Sequence, residues 1–476
     1  LLSKDVISYT ISIDKNNPKL AQVKVSFVPK DDVLYMNAGG GQLPKRWATF
    51  VQNLQVKDEK GSPVSVEELP DAKWKMDLPE KQQVILNYEI KLDHENYKWS
   101  GGIDGVAFAR NWGVFYASRT LLILNGESWK NINVEFNLPE NWKVTTPWQS
   151  IKNKLNSFRV SNLTQLANSL IFAGTHEELS IKRKDFELVF ALGGDEIIAQ
   201  KEEFKNLAEG VLDYYIKLMG GVPNPAPDNK FKKAVVIINP SDATDGEVIG
   251  NNISILVGKD SDKTAKLFSR FIFAHEFFHL WNGKSFSPAN DETEWFKEGF
   301  TNYYTLKALH HVGFLTDESF LEVLNSLFYQ RYKNDDGVGK ISLTKGEEKH
   351  DHWGLIYSGG MFIGIAQDLM IRKATNNERS LNDLMRNLFK KYGGTKKNYD
   401  LKEIQQKMSE LNGQDQTEFF KDYIWGTAKL PVADFFKIAG LSAKIQNEDL
   451  ILSKQENTMT LQKNILEGLF GTQDDN

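Results

Sequence analysis

Residues 7–13, ISYTISI, alternate strictly, with Ile7, Tyr9, Ile11 and Ile13 on one face and Ser8, Thr10 and Ser12 on the other. A period of two marks a half-buried strand, because successive side chains leave opposite faces of an extended backbone. The pattern returns at Val23, Val25 and Phe27, at Leu86, Tyr88, Ile90 and Leu92, and at Ile132, Val134, Phe136 and Leu138. Turn-forming stretches such as DEKG at 58–61 and LPENW at 138–142 separate the runs. Residues 1–180 are therefore expected to form a β-sandwich-like domain.

After about residue 195 the period changes. Phe204, Leu207, Val211, Leu212 and Tyr215 recur at helical spacing, and Gly220 and Gly221 end the run. Two short apolar runs, KAVVIINP (233–240) and NNISILVG (251–258), predict strands of a small sheet. A helix over about 264–281 follows, apolar nearly all round and so expected to be buried. From Tyr357 onward the pattern is almost wholly helical. Ser380 is placed to cap SLNDLMRNLFKKY, with Gly393 as its stop, and Asp400 with Glu403 forms a capping-box pair ahead of LKEIQQKMSEL. The last residues, GTQDDN, are expected to fray.

Composition narrows the function. A chain of 476 residues needs more than one small core. A net charge of −5, with lysines scattered rather than clustered, argues against nucleic acid as a partner. No uninterrupted apolar run is long enough to span a membrane. With no cysteine, disulfides and thiol nucleophiles are excluded, and any metal must be held by His, Asp or Glu. The first residue is Leu1 rather than Met, which fits removal of an export signal as well as trimming. Together with the lack of cysteine this leads to the expectation of an exported protein, periplasmic or extracellular.

The chemistry concentrates in HEFFHLWNGKSFSPANDETEWFKEG, residues 275–299. In the greasy helix around residue 275, His275, Glu276 and His279 are the polar exceptions. Positions i and i+4 project from one helical face, so His275 and His279 can meet one zinc ion. Glu276 falls beside that ion, where a general base for its water belongs. A catalytic zinc takes three protein ligands, and Glu298, set among Trp295, Phe296 and Phe300, supplies the third. A carboxylate in such aromatic company is costly unless it meets a cation. Gly283 and Pro288 break the first helix so that a second, capped by Asp291 or Thr293, can return Glu298 to the histidines. Glu294 and Asn302, one turn either side of Glu298, are candidates to orient the ligands. His350–His352 reads better as a solvated loop, and His310 and His311 as cations at a helix C-terminus.

HExxH followed by Glu within WFKEG is the gluzincin pattern, and the detail resembles glycyl aminopeptidase-type peptidases, metallopeptidase family sixty-one. HEFFHLWNGKSFSP, WFKEGFTNYYTLKALHHVGFL, IYSGGMFIGIAQDLMIR (356–372) and EFFKDYIWGTAKLPVADFFKIAGL (418–441) match that family's blocks in order and spacing. The resemblance implies an α+β multidomain fold: an N-terminal β domain (1–180), a thermolysin-like α/β catalytic domain (181–375) and a C-terminal helical domain (376–476). It also implies one zinc ion per chain, peptide or protein substrates, and a role for Tyr357 as hydrogen-bond donor to the oxyanion. The pattern departs from the family in two places. The family anchors the substrate amine with a Glu on a strand before the zinc helix. In DGEVIGNNISIL (245–256) the only such residue, Glu247, is displaced, and Ile249 falls nearer the expected position. Residues 445–476 are too short for the PDZ domain that many members carry. The expectation is a zinc aminopeptidase. Its rivals are an endo- or oligopeptidase without amine specificity and a catalytically silent peptide-binding homologue.

Overall fold

In the computed structural model the described residues run from 5 to 472, excepting 79–81, 98, 100–105, 231–232 and 260–261. Most of the expected C-terminal fray lies outside them. By compactness the chain forms two units, residues 1–201 with 228–269 and residues 202–227 with 270–476. Residue 180 lies inside the strand Glu177–Arg183, and Asp368 Oδ1 accepts the Leu381 backbone N–H at 2.8 Å across residue 375.

The first unit is β-rich. Its largest sheet has eight strands, with Val6–Asp14 at its centre between Asn131–Asn137, which is parallel, and Asn17–Phe27, which is antiparallel. The alternation read from the sequence is the burial pattern found: Ile7, Tyr9, Ile11 and Ile13 point inward, as do Val23, Val25, Leu86, Tyr88 and Ile90. A four-stranded sheet, Ile123–Asn125, Val33–Met36, Lys73–Met76 and Val66–Leu69, shares that core. Two phenols reach from the large sheet to this layer, Tyr9 donating to the Ile123 carbonyl and Tyr88 to that of Leu121, each at 2.9 Å. A second four-stranded sheet, built on Gly113–Ala117 and Leu170–Gly174, belongs to the same core.

The two short apolar runs become Ala234–Pro240 and Asn252–Val257 in a mixed five-stranded sheet. They pair in parallel and are buried almost throughout, which is why they read as continuous rather than alternating. Asp245–Ile249 forms an antiparallel edge and carries Glu247.

The second unit is helical. The helix Lys201–Met219 buries its expected apolar face against the helix Lys263–Phe278, with Phe204 on Phe273, Tyr215 on Phe278, and Tyr215 Oη donating to the Ala274 carbonyl at 3.0 Å. Burial along Lys263–Phe278 begins only near Ser269, so the first turns are not the apolar cylinder expected. Among the described residues one helical segment, Gly354–Ala374, is long and apolar enough to cross a membrane, and its most apolar 18-residue window is 89% buried inside the protein as core.

The C-terminal region is less helical than its pattern. Ser442–Gln446 and Asp449–Ser453 form a hairpin whose turn places Asn447 and Glu448 at positive φ. Such turns usually announce themselves by Asn-Gly, and Asn-Glu hides the signal. Ser380 caps its helix in a full capping box with Asp383. Asp400 accepts the Glu403 backbone N–H, but the Glu403 carboxylate turns instead to Lys391 and Tyr392.

Candidate metal centre

Lys263–Phe278 runs into a turn that presents His275, Glu276 and His279 on one side. Their surroundings are the aromatics expected: Phe273, Phe277 and Phe278 are fully buried. Three atoms converge. The Nε2 atoms of His275 and His279 lie 3.0 Å apart, and Glu298 Oε2 lies 3.1 Å from His279 Nε2 and 3.5 Å from His275 Nε2. Ligands at zinc-bond length around a tetrahedral centre stand about 3.3 Å from one another. The residues therefore fit a small divalent cation. Glu276 is buried beside the cluster but outside it, with Oε1 4.0 Å from His275 Nε2.

Local hydrogen bonds aim these groups. His279 Nδ1 donates to the Asn282 carbonyl at 2.9 Å. A carbonyl can only accept, so the Nδ1–H tautomer is selected and the Nε2 lone pair faces the cluster. The Asn282 side chain donates to the Lys297 carbonyl at 3.0 Å and to Thr301 Oγ1 at 3.2 Å. One residue of the turn thus orients a histidine and ties the turn to the helix Glu294–His311. Gly283 permits the reversal with φ +129°. The expected caps do not act. Asn290 accepts the Glu292 N–H at 3.0 Å to start a single 3-10 turn, and Thr293 makes no side-chain cap bond. The acidic DETE stretch is mostly that turn.

Electrostatics favour a bound cation. Burial holds the His275 imidazole down at about 4, with His279 reinforcing and Glu298 opposing the effect. It is thus neutral, the form that ligates. Burial also disfavours charge on His279, but Glu298 and Glu276 outweigh it and raise its pKa. Against the same burial, His279, Lys297 and Lys349 hold Glu298 well below the usual carboxylate range. The cluster stabilises a positive charge beside an ionised carboxylate. His275 Nδ1 is buried and makes no well-formed hydrogen bond among the described residues.

Of the two candidate ligand-orienting residues, Asn302 Nδ2 donates to the Tyr357 carbonyl at 3.3 Å, joining the Glu298 helix to the tyrosine segment. Glu294 acts one step removed from Glu298. Its two oxygens accept Lys297 Nζ and Lys349 Nζ, each at 2.7 Å, and the two lysines stand 3.4 and 3.3 Å from Glu298 Oε1. Lys297 and Lys349 were not anticipated. Lys297 is visible beside Glu298 in the sequence, whereas nothing local marks Lys349.

Tyr357 sits in a π-helical turn, Gly354–Gly359, of a kind frequent at functional sites. Its ring stacks on Trp353 with centroids 4.0 Å apart and planes 2° from parallel. Glu247 belongs to the β unit, where its carboxylate lies 3.5 Å from Arg119. Among the described residues a second His and Asp cluster, Asp335, Asp336 and His352, acts as a structural cap. Asp335 Oδ1 accepts Gly337 N–H and His352 Nδ1, each at 2.9 Å, and Oδ2 accepts Leu355 N–H at 2.8 Å.

Residues 8–175 match the family model of the peptidase M61 N-terminal domain, and residues 269–361 that of the M61 glycyl aminopeptidase. No curated protein sequence matches the chain. Among solved structures it resembles an aminopeptidase N family protein from Idiomarina loihiensis, with a TM-score of 0.78 and 19% identity over 92% of this chain and 79% of that one. It also resembles a mutant of the M1 zinc metallopeptidase from Deinococcus radiodurans, with a TM-score of 0.56 and 12% identity over 90% of this chain and 96% of that one. These likenesses establish the mixed α+β fold, and the family models cover the β region and the segment that bears both histidines, Glu298 and Tyr357. The chain belongs to the M61 glycyl aminopeptidase family and is a zinc metallopeptidase.

Proposed function

We propose that the chain is an aminopeptidase of the glycyl type, which hydrolyses peptide bonds at a zinc ion held by His275, His279 and Glu298. The convergence of two imidazole nitrogens and one carboxylate oxygen within 3.5 Å carries this reading. A zinc ion there supplies Lewis acidity for the scissile carbonyl and acidifies a water. The chain's own residues do the rest. Glu276, beside the ligands rather than among them, takes a proton from the water and hands it to the leaving amine. Tyr357, a neutral phenol at ordinary pH, donates to the oxyanion as charge develops there. The Asn282 and Asn302 side chains keep His279 and Tyr357 in register with the Glu298 helix.

The decisive experiment pairs zinc analysis with turnover of aminoacyl substrates in wild type and Glu276→Gln. The variant is expected to keep its zinc and lose about 10²–10⁴-fold in kcat, the usual contribution of a general base. Full activity in the variant, or a wild type without zinc, overturns the reading.

The Arg119–Glu247 ion pair favours a second reading, an endo- or oligopeptidase without amine specificity. A carboxylate already neutralised by a guanidinium is a poor anchor for a substrate ammonium. Free and N-acetylated forms of one peptide separate the two, because only an aminopeptidase rejects the blocked form.

A further inference from the structure

The carboxylate of Glu298 is held from two sides. Oε2 faces the imidazoles, while Oε1 faces Lys349 Nζ at 3.3 Å and Lys297 Nζ at 3.4 Å. Glu294 holds both lysines at 2.7 Å, and its side chain is 6% exposed. The four groups alternate in sign, so each charge meets opposite neighbours and none is buried unpaired. Delivering Lys349 takes a separate piece of backbone. Gly346 packs so closely on the start of the Glu298 helix that an added Cβ would lie 1.9 Å from the Asp291 carbonyl oxygen and 2.7 Å from Glu294 Cβ. Three residues later the chain places the Lys349 ammonium between the two carboxylates.

We propose that Lys349, braced by Glu294, is a positioning residue for the metal site: it pins Oε1 of Glu298 and so commits Oε2 to the cation. This rests on the zinc reading given above and deepens it. The physical reason is rotational. A glutamate has three side-chain torsions and its carboxylate flips freely unless both oxygens are engaged. One ammonium donor on that oxygen, with a second ammonium 3.4 Å from it, leaves the other oxygen as the ligand and removes entropy that binding would otherwise cost. Lys297 contributes from the ligand's own helix, but Lys349 comes from a different segment and so fixes the carboxylate in space relative to the loop that leads into Trp353 and Tyr357. In the bare Coulomb view the two lysines repel a dication and weaken binding. In the positioning view Lys349 strengthens binding. The two views predict opposite signs.

The test measures zinc affinity of the full chain by competition with a chromophoric chelator, alongside thermal unfolding of the metal-free protein. Lys349→Met is expected to weaken zinc binding about 10–100-fold, the usual effect of losing a group that orients a ligand. Lys349→Arg, which keeps the charge and the donors, is expected to restore most of it. Glu294→Gln removes the brace without changing shape, and should weaken binding in the same direction. It carries the test alone if Lys349→Met does not fold. Unchanged or tighter zinc binding in Lys349→Met, or in Glu294→Gln when it stands alone, overturns the proposal. Wild-type protein that takes up no zinc, or takes it up equally after His275→Ala, overturns instead the zinc reading beneath it, so the two failures are told apart.

Discussion

Gly299 and Gly360 meet backbone to backbone: a Cβ on Gly299 would stand 2.2 Å from the Gly360 carbonyl carbon, and one on Gly360 would stand 2.2 Å from the Trp295 carbonyl oxygen. The helix that carries Glu298 and the segment that carries Tyr357 therefore cross at van der Waals contact of their main chains. Gly299 directly follows the candidate ligand, and Gly360 lies three residues after the tyrosine. Their missing side chains set how closely the two groups can approach. Gly299→Ala is expected to cost about 3 kcal/mol of stability, at the upper end for overpacking, because the obstacle is backbone that cannot rotate away. Gly41→Ala, where nothing lies within 4 Å, is the control and should change little. Thermal unfolding of the two variants decides the matter, and equal midpoints would contradict the crossing.

Asn282 links the zinc-helix turn to the Glu298 helix through its side chain, while its carbonyl fixes the His279 tautomer. Asn282→Ala leaves the carbonyl in place and removes the tie. It also removes two side-chain hydrogen bonds, each worth about 0.5–1.5 kcal/mol, while the Lys297 carbonyl keeps its helical partner. Reduced stability together with about tenfold weaker zinc binding is expected from equilibrium unfolding and chelator competition. A variant that loses stability alone would show the tie to be structural only.

Tyr357→Phe preserves the ring that stacks on Trp353 and deletes the donor. Zinc content and unfolding midpoint should match wild type while kcat falls about 10²–10³-fold, the range for one oxyanion donor. A loss confined to KM would assign the phenol to substrate binding.

A pH effect on stability is expected in the β unit. In the β unit His94 is fully buried, stacked on Phe50, donates through Nε2 to the Lys91 carbonyl at 2.6 Å and accepts the Ala107 N–H on Nδ1 at 3.2 Å. Protonation would destroy the second bond, and burial lowers its pKa to about 3. The folded value lies below the unfolded one of about 6.5, so the stability it contributes is complete above pH 6.5 and is lost as pH falls towards 3. At pH 5 the loss from this one group is about 2 kcal/mol. His176, lowered to about 3 by burial as well, adds in the same sense. His94→Asn can keep one donor and one acceptor and cannot titrate. Its unfolding midpoint should fall less steeply between pH 6.5 and 4 than that of wild type, and parallel profiles would refute the assignment.

Periodicity made the strands legible because each buries one face. Val6–Asp14 and its neighbours show inside and outside in alternate letters, and the inward set is the one observed. The hairpin at 442–453 escaped because its turn lacks glycine and most of its residues stay exposed, so no alternation marked it. At the Glu298 helix Thr293 stands at the expected N-cap position without making a cap bond, while Asn290 caps the 3-10 turn before it; both are competent cap residues, and only backbone geometry chooses between them.

By itself the sequence determined the fold class, the β-then-helical order and which three residues converge as candidate ligands, with Glu276 beside them, since HExxH and WFKEG are local patterns whose geometry a helix imposes. Tertiary structure alone decided what holds them. Lys349 lies fifty-one residues from Glu298 and reaches it only because Gly346 lets two backbones touch. Arg119 neutralises Glu247 from 128 residues away. Helical spacing is encoded in neighbours along the chain, but a contact between charges is set by how close the main chains come.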